Sequence, residues 1–228
     1  MANLTWPSIR GKRARITRLD ECGVPVIGTK STLVTKGYIS VTVSPEYEDA
    51  TENAPKTADD KFAYIDRGKD LLKYLTAEIA FVGVDPEAYE IISGNPIWTN
   101  AAGDAAGIKV GTYDDIQANF ALELWSDIPG QACQGSKAYG YFLLPFIGPA
   151  RIGEIAIQAE AAEFTLTNAI TKDANGWGTG PYNVELNDAE PPVAAKLNEA
   201  LTAKDHLVMF QTKVAPPAVT AGAVELTA

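Results

Sequence analysis

Two separate segments of this 228-residue chain alternate apolar and polar side chains with a period of two, and nothing else constrains its fold as strongly. In the first, GYISVTVS (37–44), Ile39, Val41 and Val43 fall on one side, and Tyr38, Ser40, Thr42 and Ser44 on the other. In the second, LLKYLTAEIAFVGV (71–84), Leu71, Leu75, Ala77, Ile79 and Phe81 share a side with Lys73 as the odd member. Leu72, Tyr74, Thr76, Glu78 and Ala80 share the other. Successive side chains of a strand point to opposite faces, so each segment is expected to be a β-strand with one dry and one wet face. The wet faces carry small hydroxyls and carboxylates and nothing reactive.

Further strands are expected at 13–19, 118–128, 138–148, 152–171 and 205–214, with a turn running into a strand at DANGWGTGPYNVEL. One helix is legible, DPEAYEIISG. Asp85 suits the N-cap, Pro86 the first helical position, Glu87 the positive end of the helix dipole and Gly94 the C-terminal cap. A Gly/Pro/Thr-rich loop is expected between the first strand and Gly37. A long polar loop, about 46–70, separates the two alternating strands; loops of that length in a compact domain are usually functional or disordered. The expected class is therefore mainly β, a sandwich or barrel with one short helix at about 85–93. A single domain spans 1–215, with 95–135 as an insertion or outer decoration and 216–228 as an extended C-terminal tail.

Composition narrows the function. With 19 Lys and Arg against 29 Asp and Glu, the chain has a net charge of −10, which opposes tight binding to nucleic acid or to an anionic membrane. The greasiest run, YGYFLLPFIGPA, is broken by Pro145, Gly148 and Pro149 and is too short to span a bilayer. No apolar leader core is present in MANLTWPSIRGKRARITR, and a cytoplasmic start is expected. Cys22 and Cys133 form no CxxC pair and leave a mutual disulfide open. The one histidine, His206, precedes an apolar strand without evident partners. GVPVIGTKS (23–31) fails as a phosphate loop because Thr29 separates Gly28 from Lys30, and GWGTG (176–180) fails the dinucleotide spacing. Asp59-Asp60 and Asp114-Asp115 lack the alternation of a calcium loop and read as solvated charges. Trp6, Trp98, Trp125 and Trp177 fit core or interface packing better than a sugar platform. No catalytic, cofactor or metal signature stands out, and a non-enzyme is expected.

The order of several segments carries a resemblance: RITRLDECGVP, ISVTVSPEYED, LTAEIAFVGVDPEAYEIISG, AEFTLTNAITK, NGWGTGPYNV and DHLVMFQTKVAPP. Together they resemble the major tail proteins, or tail tube proteins, of long-tailed, siphovirus-type phages of actinobacteria. The resemblance covers most of the chain and is least clear over 95–150. It implies a virion structural protein, made and assembled in the host cytoplasm, that forms hexameric rings stacked into a hollow tube. Four strands per subunit would join across subunit boundaries as a continuous β-barrel lining the channel. The implied partners are further copies of the chain, a tape-measure protein, a tail terminator and tail tip proteins. Genome DNA would pass through the lumen without tight binding. On this reading Ser40, Thr42, Ser44, Glu46, Thr76 and Glu78 face the lumen. Glu48, Asp49, Glu52, Lys56, Asp59 and Asp60 lie on a loop ordered between rings. A tail terminator, a tip protein or a contractile-type inner tube would share the fold, and a virion carbohydrate-binding sandwich is the more distant reading.

Overall fold

A computed structural model describes residues 9–83, 85–114, 116–128, 137–155, 163–173 and 176–227. Along the chain these form β1 (Ile9–Arg18), β2 (Gly28–Thr35), β3 (Tyr38–Glu48), β4 (Glu52–Asn53), β5 (Asp66–Arg67) and β6 (Leu71–Phe81). Helix α1 (Pro86–Ser93), β7 (Ile97–Thr99), β8 (Ala105–Ile108), β9 (Phe120–Asp127), β10 (Tyr139–Ile147), β11 (Arg151–Ile155) and β12 (Phe164–Ile170) follow. The last elements are β13 (Glu185–Leu186), β14 (Ala194–Ala195), β15 (Val208–Thr212) and β16 (Val224–Leu226). The fold is mainly β, as the sequence leads one to expect.

Two sheets dominate. One has six strands in the order β15-β10-β9-β1-β2-β16; the other has four, in the order β11-β12-β6-β3. They face each other across a core in which Ile16, Leu33, Phe120, Leu122 and Leu144 of the first sheet meet Ala77, Ile79, Phe81, Leu166 and Ala169 of the second. Each large side chain sealed there contributes about 1.5–3 kcal/mol. Helix α1 adds Ala88, Tyr89, Ile91 and Ile92 to the same core. Its ends form as the local signals dictate: the Asp85 carboxylate accepts from the N–H groups of Glu87 and Ala88 (3.1 and 3.3 Å), and Gly94 takes the left-handed conformation at φ 72°.

The six-stranded sheet is covered on its far side as well. Trp125, Tyr141 and Leu143 pack there against Trp177, Val184 and Leu197 from the segment after Gly176. Burial on both faces explains why β10 reads as a continuous apolar run, whereas β3 and β6, covered on one face, alternate. Pro145 fits inside β10 because it lies in a register irregularity beyond the end of the β15 pairing.

Several expectations require correction. The loop before Gly37 contains β2, a full strand beside β1. Residues 118–128 are not decoration: β9 lies between β1 and β10, and Phe120, Ala121 and Leu122 are buried. The C-terminal segment is not merely an extended tail, since β16 pairs with β2 and Leu226 is buried. Cys22 is exposed, and Cys133 lies outside the described residues, as do Trp6 and Asp115.

Candidate functional site

The outward face of the four-stranded sheet gathers the residues expected to face a channel. Thr42 stands opposite Glu78, Ser44 opposite Thr76, Ser40 opposite Ala80 and Glu46 opposite Tyr74. Directly opposed residues of an antiparallel pair point to the same side. Val41 and Val43, opposite Ile79 and Ala77, point inward to the core. Thr76 Oγ1 donates to the main-chain oxygen of Ser44 at 3.2 Å. The alternation breaks at the start of β3. A register shift between Tyr38 and Ser40 turns Tyr38 toward the core and leaves Ile39 exposed, the reverse of the sequence reading.

The same face carries groups that strand alternation in β3 and β6 did not reveal. Thr165 stands opposite Ala80, and Arg151 opposite Thr167, whose neighbour Leu166 is in the core. Six hydroxyl side chains, Ser40, Thr42, Ser44, Thr76, Thr165 and Thr167, thus share a face with Glu46, Glu78 and one cation, Arg151. Tyr74 and Ile170 lie toward one end of it.

Both edges of this sheet are unpaired among the described residues: β3 bonds only to β6, and β11 only to β12. Successive strands are antiparallel throughout, so the two edges run in opposite directions. β3 has 11 residues and β11 has 5.

Residues 46–70 are exposed apart from the half-buried Ala50 and Ala54, as expected for a loop, yet they form an arm that prolongs the β3–β6 ladder. Glu48 pairs with Leu71 in register, and β4 pairs with β5 beyond. Glu48 holds Lys73 at 2.5 Å, Lys56 holds Asp60 at 2.9 Å, Asp59 lies 3.6 Å from Lys61, and Glu52 stands opposite Arg67. Asp49 is exposed. Polarity is only half of the arm's character: Tyr47, Phe62, Tyr64, Ile65, Leu71 and Leu72 are between 44% and 66% exposed. Leu71 and Leu72 belong to β6 but lie beyond the sandwich. The opposite end of the sheet displays Ile39, Val82 and Ile155.

Two polar arrangements escaped the sequence reading. Arg15 and Glu123, paired across β1 and β9, are buried, with both guanidinium–carboxylate contacts at 2.5 Å. The Arg15 guanidinium lies 3.3 Å from the Tyr182 ring centroid, and Tyr141 donates to Glu123 at 2.6 Å. Burial, followed by the nearby Glu123 carboxylate, pushes the Tyr141 phenol well above its ordinary value. A lone Glu inside an apolar strand was the available signal, because a buried charge requires a partner. His206 is also buried, 2.8 Å from Thr171 Oγ1 and 3.1 Å from Asp173. Thr171 is 3% exposed and already accepts from the Leu75 N–H at 2.8 Å, so this row ties β6 and β12 to the approach to β15 rather than presenting a nucleophile.

GWGTG forms a tight turn with Trp177 buried, and Gly176 lies against the loop at 22–24, where a Cβ would come within 2.2 Å of the Cys22 carbonyl oxygen. Of the Trp residues described, Trp125 and Trp177 are buried and Trp98 is exposed beside Lys109. No family model matches the chain, and no curated protein matches its sequence.

Proposed function

We propose that this chain is a tail tube subunit, a virion structural protein that assembles into hexameric rings stacked as the conduit for genome DNA. The observation that carries the reading is the four-stranded sheet, with two edges of opposite direction unpaired among the described residues and a face of hydroxyls and carboxylates. An unpaired edge recruits other strands. When copies are related by rotation about an axis roughly along the strands, β11 of one copy meets β3 of the next antiparallel, and closure of the ring removes every edge of that sheet. The covered face stays on the subunit's own core, and Ser40, Thr42, Ser44, Glu46, Thr76 and Glu78 turn to the lumen. Hydroxyls and a slight excess of carboxylate offer phosphate no tight hold.

The arm supports stacking in the same reading. It projects apolar side chains from one end of the sheet, while Ile39, Val82 and Ile155 are exposed at the other. Head-to-tail stacking buries both sets. The tape-measure protein, terminator and tip proteins are the partners this role requires, and the protein acts without catalysis or cofactor.

Electron microscopy of the purified chain across a concentration series, with and without tail tips, tests the proposal. Rings or tubes with a central channel are expected. A species that stays monomeric at millimolar concentration with tips present would refute it.

A further inference from the structure

We infer that Glu46 of one copy pairs with Arg151 of the next across each seam of the ring, an inference that rests on the ring reading above. The two groups share the hydroxyl face, one on each free edge strand. Both are exposed, and neither has an ion-pair partner among the described residues. Of the other charges at these edges, Glu48 is engaged with Lys73, and Lys172 with Asn119 Oδ1 at 2.7 Å; Glu78 lies on the inner strand β6.

The lengths of the edge strands point the same way. Among the described residues β3 is more than twice as long as β11, so β3 has residues to spare beyond the start of β11. At that start the neighbour offers a cleft of about 600 Å³ lined by Pro149, Arg151, Asn168, Ile170 and Lys172, with no carboxylate in its lining. The stretch of β3 toward the arm carries Glu46 and Glu48.

Strand tilt narrows which residues can meet Arg151. Within one copy, Arg151 stands opposite Thr167, which lies in the β12–β6 bulge between the Leu166–Ile79 and Ala169–Ala77 pairs, so Arg151 is about level with Glu78 and, across β6, with Thr42. Strands of a closed sheet tilt by about 35–45°, and across four strands spaced about 4.8 Å apart this slips the register by about 13–19 Å, roughly four to six residues. The stretch opposite Arg151 at the seam is then Tyr38 and the residues before it, or Glu46 to Glu48. Tyr38 points into the core behind the register shift. Glu46 points to the correct face and carries the opposite charge, and unlike Glu48 it is not held by Lys73.

The test is a charge swap in the full chain, read as the critical concentration for tube formation by sedimentation, with circular dichroism to confirm that each monomer is folded. Arg151→Glu and Glu46→Arg are each expected to raise the critical concentration about fivefold, the effect of one exposed ion pair lost per seam. The double variant Glu46→Arg/Arg151→Glu is expected to return to within about twofold of the parent. Glu78→Arg, on the same face but away from the seam, serves as a control and is expected to gain nothing from Arg151→Glu. A parent chain that forms no rings overturns the ring reading itself. A parent that assembles while Arg151→Glu leaves its critical concentration unchanged overturns this pairing alone, as does a double variant no better than the single ones.

Discussion

Replacing Thr42 and Ser44 by lysine should convert a surface indifferent to DNA into one that grips it, while leaving the subunit folded. Both side chains are exposed on β3. Lysine at 42 would stand opposite Glu78, where a cross-strand pair of opposite charge contributes about 0.2–1 kcal/mol. Lysine at 44 would stand opposite Thr76, whose hydrogen bond reaches the Ser44 main-chain oxygen and survives the substitution. The net cost to folding should stay within about 0.5 kcal/mol. Meanwhile Glu46, Glu78 and Arg151 sum to one negative charge per copy, and two lysines make it one positive. If a stretch of tube engages about 6–10 phosphates, DNA affinity should fall by about 10³–10⁵ between 50 and 200 mM salt, with a log–log slope of about −0.9 per contact. The assay is DNA release from assembled tails, or retention of duplex DNA by tubes, across that salt range. Ejection should slow at low salt and recover as salt rises. Lysines at Thr99 and Ala106, exposed on the β7–β8 hairpin, form the control and should leave ejection unchanged. Parental ejection rates at low salt from tubes that carry the β3 lysines would show that this face does not line the channel.

Other consequences are as specific. Glu123→Leu strands the buried Arg15 guanidinium and should cost about 3–5 kcal/mol in urea unfolding followed by tryptophan fluorescence; Arg15→Met/Glu123→Leu should recover most of it, and a double variant whose loss equals the sum of those of Arg15→Met and Glu123→Leu would contradict the coupling. Glu87 holds the C-terminal segment by accepting from the Ala223 N–H (2.6 Å), and it pairs with Lys30 of β2 (2.8 Å). Burial works to raise the Glu87 pKa, but the hydrogen bond from Lys30, then that from Ala223, outweigh it and hold the carboxyl below its ordinary 4.5. A depressed folded pKa gives stabilisation that is complete above that ordinary value and lost as pH falls through the folded one, so the protection of the Ala223 amide relative to its intrinsic exchange rate should fall selectively on acidification below 4.5. Glu87→Gln should abolish that pH dependence. Removal of 51–68 should leave a folded monomer that cannot lengthen tubes, and normal tubes from that deletion would eliminate the arm from stacking. Gly176→Ala drives a Cβ into the backbone at 22–24 and should destabilise by about 1–3 kcal/mol in thermal unfolding.

Local signals determined much of the fold. The alternation of Val41, Val43, Ala77 and Ile79 against Thr42, Ser44, Thr76 and Glu78 gave both strands and their faces, because a sheet covered on one side leaves a period-two record. Asp85, Pro86 and Gly94 gave the helix and both its ends, because caps are satisfied within one turn. Tertiary structure decided the rest. GTKSTLVT became β2 because β1 and β16 flank it, and its own pattern carries no such information. The tail became a strand because β2 offered it an edge and Glu87 a carboxylate. Ile39 turned outward through a register shift that no periodicity records. Arg15 and Glu123 lie 108 positions apart, so their pairing follows from the β1–β9 register. Arg151 joined the hydroxyl face in the same way, through the alignment of β11 with β12. A strand's sequence specifies which side chains share a face, since that depends on its own backbone alone. Which strands become neighbours, and which edges stay free, depends on every other element competing for the same hydrogen bonds, and that competition is settled only in the assembled fold.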